Sequence, residues 1–200
     1  MLVGQIMSQK IVTISPDKRV GQALKLMQKH QIRHLPVMEH NRMVGWITSR
    51  DLREVLLASM LEDIKVGDVM VPAPLSVGPD TEVEEAARLI HEHKIGGMPV
   101  MEGDRLTGVI TMPDLISAFI AMLGLLKSSS RLDLLLSNRP EVLDAVTRLI
   151  KEAGGQVINV ALGPTQGDKR PFYFRLGKVN LEPIVKTLKQ QGYAVLDTIA

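Results

Sequence analysis

The chain has 200 residues, 45% of them apolar, with a formal net charge of +2, no cysteine and only 3% aromatic residues. That length and apolar content suit one or two globular domains, each with enough material for a core. The lack of cysteine excludes disulfides, thiolate metal sites and a cysteine nucleophile, and the near-balanced charge with few rings argues against a nucleic-acid surface. The first residues, Met1-Leu2-Val3-Gly4-Gln5, do not read as a signal peptide. The most apolar run, Leu115 to Leu126, is too short for a membrane helix, which needs about 20 residues. A cytoplasmic protein is the expectation.

In chain order, Ile11 to Ile14 reads as a short β-branched strand. Ser15-Pro16-Asp17 reads as a helix start, followed by Val20, Ala23, Leu24 and Met27 at helical spacing to about His30. His34 to Met38 and Met43 to Thr48 read as strands around a turn at Glu39 to Arg42, and a helix follows from Ser49 to about Met60. The order then recurs. Leu75 to Val77 is a strand, and Thr81-Glu82-Val83-Glu84 opens a helix through about Glu92. Gly97 to Met101 and Leu106 to Thr111 are strands, and an apolar helix runs from Leu115 to Leu126. Lys127 to Ser130 reads as a linker. Beyond it come a strand (131–136), a helix (140–153), two strands (156–162 and 171–176), a helix (181–191) and a strand (194–198). That βαββαβ order is the ferredoxin-like arrangement. The fold class expected is α+β, with domains at 1–64, 65–127 and 130–200.

The first two units are copies. Residues 3–52 shifted by 63 positions fall on residues 66–115 without a gap, and about 20 of the 50 aligned positions are identical. Thr48 and Asp51 recur as Thr111 and Asp114, where a strand hands over to a helix. A hydroxyl and a carboxylate three residues apart can face one cleft there, beside the N–H groups and partial positive charge of the helix start. A carboxylate can accept both hydroxyls of a ribose diol. The competing reading is that Thr and Asp are helix caps, present twice through duplication.

The pattern Gly-x-x-Thr-x-x-Asp-Leu, at Gly45 and again at Gly108, preceded by Ile-x-x-Leu/Met-Pro-Val, resembles the cystathionine-β-synthase (CBS) domain. Two in tandem resemble a Bateman module, and the resemblance covers about residues 1–126. It implies a regulatory module with two clefts for AMP, ADP, ATP or S-adenosylmethionine, each drawing on both copies. One cleft would use Thr111 and Asp114 with Ile32, Arg33, His34, Pro36 and the segment Lys10 to Thr13. The other would use Thr48 and Asp51 with Ile95, Gly97, Met98, Pro99 and the segment Ala73 to Leu75. The Asp would hold the ribose, the Thr a phosphate, and aliphatic side chains the adenine. Arg33 and His34 favour the Asp114 cleft for phosphate, while Lys94 and Arg50 are the nearest bases of the other. Pro113 stands where a backbone donor is otherwise found.

The last 70 or so residues resemble an ACT domain, although Asn138-Arg139-Pro140-Glu141 replaces that family's Pro-Gly turn. The order CBS–CBS–ACT, with Ile32 to Val37, resembles the AcuB-type acetoin-utilisation proteins and implies control of a catabolic pathway. CBS modules pair through helices such as Leu115–Leu126 and Leu52–Met60, so a homodimer is expected. The sequence shows no Walker loop or nucleophile–base arrangement, and His91 and His93 point to different sides of a helix. No catalytic residue, metal site or catalytic cofactor is expected. The function implied is a sensor passing occupancy to the ACT-like domain or to a regulated enzyme. The alternative is a scaffold that binds no ligand.

Overall fold

The computed structural model describes residues 1–58, 64–124, 129–165 and 167–200. They form two compact units, Met1–Ile116 and Ser117–Ala200.

Each repeat builds a helix, a two-stranded antiparallel hairpin and a second helix, and the closing helix of the second repeat continues past Ile116. The first repeat has α1 (Val20–His30), β1 (His34–Glu39), β2 (Arg42–Thr48) and α2 (Ser49–Ala58). After a short α3 (Val66–Val69), the second has α4 (Val83–Glu92), β3 (Gly97–Glu102), β4 (Arg105–Thr111) and α5 (Met112–Met122). The hairpins are superposable in register: His34 pairs with Thr48 as Gly97 pairs with Thr111, and a bulge follows Val37 as it follows Val100. Buried Val20, Ala23, Met27, Leu35, Val37, Ile47 and Leu52 form the core of the first repeat, and Val66 joins them.

The run Ile11 to Ile14 does not form a full strand. Only Ile14 bridges, in parallel, to Val37, and Val77 does the same to Val100. Ile14 N–H donates to Pro36 O at 3.1 Å, and Ile14 O accepts from Met38 N–H at 2.8 Å. The next rungs would need donors from residues 36 and 16, and both are proline. Pro99 and Pro79 end the ladder in the second repeat.

Helix α1 also starts later than the sequence suggests. Ser15-Pro16-Asp17 closes a turn, in which the Ser15 hydroxyl donates to the Asp17 carboxylate. The carbonyls of Pro16 and Lys18 are occupied by Gly67 N–H at 2.9 Å and Val66 N–H at 2.8 Å. Reciprocally, Gly4 N–H donates to Pro79 O and Val3 N–H to Thr81 O, both at 2.8 Å. Each repeat's leading arm is therefore seated on the other repeat. The arms continue as single bridges, Ser8 to Val109 and Val71 to Trp46. Gly108 and Gly45 lie under Met7 and Met70, and a Cβ at either glycine would overlap the methionine sulfur.

In the second unit, β5 (Ser129–Ser137), α6 (Pro140–Glu152), β6 (Val157–Leu162), β7 (Lys169–Gly177), α7 (Glu182–Gln190) and β8 (Ala194–Ile199) follow one another. The strands form one antiparallel sheet in the order β6-β7-β5-β8. Alternate residues Leu132, Leu134 and Leu136 of β5 and Phe172, Phe174 and Leu176 of β7 pack on Val146, Ile150, Ile184 and Leu188 of the helices. Ser129 and Ser130 belong to β5 and not to a linker. Ser130 is fully buried, and its hydroxyl both donates to Val179 O and accepts from Val179 N–H. Of the residues expected in the linker and the pairing helices, Met60, Leu125, Leu126, Lys127 and Ser128 lie outside the described residues.

Candidate functional site

The first unit carries two clefts, each framed by both repeats. One, of about 300 Å3, is lined by Lys10, Ile11, Val12, Ile32, Arg33, His34 and Pro36 of the first repeat and Val109, Thr111, Pro113 and Asp114 of the second. The other, of about 710 Å3, is lined by Trp46, Thr48, Arg50, Asp51 and Arg53 of the first repeat and Leu75, Lys94, Ile95, Gly96 and Gly97 of the second. Most of these positions correspond under the 63-residue shift, Val109 to Trp46 among them.

In each cleft the Thr and the Asp start a helix. Asp51 Oδ2 accepts the Thr48 N–H at 2.9 Å and the Thr48 hydroxyl at 2.8 Å. Thr48 Oγ1 accepts from Arg50 N–H and Asp51 N–H, both at 3.3 Å. This is a reciprocal cap with Asp in the third position. Asp114 Oδ2 accepts the Thr111 N–H at 2.9 Å and the Thr111 hydroxyl at 2.5 Å. Thr111 Oγ1 lacks the bond that Arg50 N–H gives Thr48, because Pro113 occupies that position and has no N–H. In both caps Oδ2 is the engaged oxygen. Among the described residues Oδ1 makes no hydrogen bond and is free to accept from a ligand.

Lys10, Ile32, Arg33, His34, Pro36, Thr111 and Asp114 come together in the smaller cleft, but Thr13 does not line it. Ile14 is turned into the core, which leaves its neighbour Thr13 exposed. Thr48, Asp51, Leu75, Ile95 and Gly97 line the larger cleft, whereas Ala73, Met98 and Pro99 do not. Met98 and Pro99 are both buried, and Ala73 sits in an exposed left-handed conformation with φ 45°. Gln31, Trp46, Arg53 and Ile116 are lining residues that the sequence reading missed. Val109, the counterpart of Trp46, was missed likewise; Gln31 was findable, since it corresponds to Lys94 under the repeat.

Arg33 and His34 line both clefts, not the smaller one alone. His34 stacks on Trp46 with ring centroids 5.6 Å apart. Gly96 lies against it, and a Cβ there would come within 2.8 Å of Nε2. Burial holds the His34 imidazole below its ordinary pKa, helped by the Arg33 charge and opposed by Asp51. At neutral pH His34 is therefore an uncharged ring. The larger cleft gathers Arg33, Arg50, Arg53 and Lys94 around one carboxylate. Among the described residues no group of three or more His, Asp or Glu could hold a metal, and no helix is long and apolar enough to cross a membrane.

Paired strand–helix units that enclose two clefts, each capped by a Thr/Asp from one copy and walled by the other, define a tandem two-cleft module. The CBS-domain family model matches residues 3–58 and 66–121, and the chain belongs to that family. Its CBS region is 33% identical over 116 residues to an inosine-5′-monophosphate dehydrogenase of Methanocaldococcus jannaschii, 56% of this chain but 22% of that enzyme. The chain thus spans about a fifth of the length of such curated relatives. Among solved structures, a protein assigned to acetoin utilization (AcuB) from Vibrio cholerae is 30% identical with TM-score 0.59, covering 62% of this chain and 96% of that one. CBSX2 from Arabidopsis thaliana, solved in complex with AMP, is 30% identical with TM-score 0.54, covering 60% and 97%. The CBS pair of protein MJ0100, solved with 5′-methylthioadenosine and S-adenosyl-L-methionine, is 28% identical with TM-score 0.56, again covering 60% and 97%.

Proposed function

We propose that this chain is a regulatory sensor that binds adenosine-containing ligands in the two clefts and catalyses no reaction. One observation carries the reading: at each cleft a carboxylate with a free oxygen stands at a helix start in one repeat, facing an apolar segment from the other. That oxygen suits the ribose diol. Leu75 and Ile95 in one cleft, and Val12 and Ile32 in the other, suit the adenine. The complexes of CBSX2 with AMP and of MJ0100 with S-adenosylmethionine support the ligand class. With Arg33 and His34 shared, their reason for favouring the Asp114 cleft is gone. The cations around Asp51 make the larger cleft the stronger site for di- and triphosphates.

The proposed domain boundaries are 1–64, 65–127 and 130–200. The proposed site comprises the Thr/Asp pairs and the segments expected from the sequence. The βαββαβ order and the strand order of the last sheet support an ACT-like domain that receives the signal. The likeness to the acetoin-utilization protein supports a cytoplasmic role in carbon catabolism. A homodimer through α2 and α5 accounts for the apolar surface of α5, where Ile116 is 50% and Met122 43% exposed.

Calorimetric titration with AMP, ADP, ATP and S-adenosylmethionine, with Asp51→Ala and Asp114→Ala in parallel, tests the proposal. Saturable binding lost in one variant assigns the ligand and the cleft. No binding by any of the four leaves the scaffold reading, in which the Asp residues serve only as caps.

A further inference from the structure

Helices α6 and α7 cover one face of the four-stranded sheet. Arg131 and Asp133 of β5, Asn159 of β6, and Tyr173 and Arg175 of β7 belong to the other set of alternating positions. Arg131 and Arg175 are direct cross-strand partners, and like charges so placed repel. Only one of the two is neutralised. Arg131 grips Asp133 with two bonds, Nε to Oδ1 at 2.8 Å and Nη2 to Oδ2 at 2.5 Å, and lies over the Tyr173 ring at 5.2 Å. Asp133 is 4% exposed, so this pair is a fixed wall. Arg175 makes one hydrogen bond, from Nη1 to Ser129 Oγ at 3.1 Å, and has no carboxylate partner among the described residues. It lines a cavity of about 290 Å3 together with Asn159, Ala161, Tyr173, Leu123 and the Asp133-paired Arg131.

We propose that this cavity binds a small organic monocarboxylate, with Arg175 forking its two oxygens, Asn159 adding an amide donor, and Leu123 and Ala161 covering a short apolar tail. The local pairing selects the ligand: Arg131 is held by Asp133 and also feels Asp197 of β8, whereas Arg175, on the cavity side, has no carboxylate within ion-pair reach among the described residues and can take one negative charge. A planar two-oxygen group matches the guanidinium fork better than a tetrahedral dianion. A nucleoside is disfavoured because both oxygens of Asp133 are already engaged, leaving no acceptor for a ribose. This site is separate from the two clefts and does not depend on what they bind.

The test is a titration of the full chain with butyrate at constant ionic strength, followed by the 15N–1H resonances of the arginine Nε–H groups. Acetate, n-butylamine and inorganic phosphate serve as comparison probes. The expected result is a saturable shift of the Arg175 resonance with butyrate, weaker with acetate and absent with the amine and phosphate. Arg175→Gln should abolish binding, and Arg175→Lys should weaken it about tenfold by keeping charge and losing the fork. Leu123→Trp fills the cavity without touching the charges and should also block butyrate, which covers the case in which Arg175→Gln does not fold. Asp51→Ala and Asp114→Ala should leave butyrate binding unchanged while altering nucleotide binding. No saturation up to about 10 mM, a weak-binding limit near 3 kcal/mol, an equal response to phosphate, or unchanged binding in Leu123→Trp would overturn the proposal.

Discussion

His34 and Trp46 stack with ring centroids 5.6 Å apart and planes 29° from parallel. The pair belongs to the first hairpin, and both rings line the larger cleft. Because burial lowers the His34 pKa, the imidazole stays neutral at pH 7. The unfolded chain takes up this proton near the ordinary histidine value of about 6.5, and the folded chain does so only at lower pH. Below about pH 6.5 the unfolded state therefore binds more protons, and stability falls as pH falls. Urea unfolding between pH 7.5 and 5 should show this loss, with His34→Gln showing a smaller one. Trp46, the chain's one tryptophan, should be quenched by the protonated imidazole only below the ordinary histidine range. The same slope in wild type and His34→Gln would contradict the assignment.

The two caps separate binding from stability. Asp114→Ala removes the acceptor for the Thr111 N–H and should cost the fold about 1 kcal/mol. It should also weaken a ligand at that cleft by about 1–3 kcal/mol, five- to hundredfold. Asp114→Asn keeps a side-chain acceptor and should retain the stability while losing much of the affinity. Equal affinity in Asp114→Ala and wild type would reduce the residue to a cap.

Seating of the arms can be tested at Gly108 and Met7. Gly108→Ala places a Cβ against the Met7 side chain and should destabilise by about 1–3 kcal/mol through overpacking. Met7→Ala alone opens space and also destabilises. The double substitution should lose much less stability than the sum of the two single losses, since the new methyl then fills the gap left by sulfur. Strict additivity in denaturant unfolding would place the arm elsewhere.

For the homodimer, light scattering at micromolar concentration should give twice the chain mass of 22.0 kDa. Met122→Lys, on the exposed apolar surface of α5, should shift the mass toward one chain with little change in secondary structure. A single-chain mass for wild type would leave that surface to another partner.

The hairpin turn of the first repeat carries His40 at φ 46° and Asn41 at φ 64°. His40→Gly relieves a left-handed conformation that costs a side chain about 1–2 kcal/mol, offset in part by glycine's larger chain entropy. A gain of about 0.5–1 kcal/mol in urea unfolding is expected. A loss would mean that His40 makes a stabilising contact in solution.

Much was legible along the chain because it is local. Residue alternation and helical spacing located the eight main strands and six of the seven helices to within a few residues, and the 63-residue shift exposed the duplication with its Thr/Asp pairs. Some local expectations failed for a non-local reason. The strands expected at Ile11 to Ile14 and at Leu75 to Val77 each shrank to one bridge. The helix expected from Pro16 began at Val20, because the backbone around Pro16 is held by Gly67 and Val66 from the other repeat.

The sequence by itself determined the duplication, the order of the main elements and the paired Thr/Asp residues at the starts of α2 and α5, since each depends on neighbours within a few positions. Only the tertiary structure decided that the two arms cross to the opposite repeats, that Arg33 and His34 line both clefts, and that Arg175 has no carboxylate partner among the described residues. Those relations rest on hydrogen bonds and contacts between residues tens of positions apart. Local periodicity carries no information about them, because the partner enters only when the chain closes on itself.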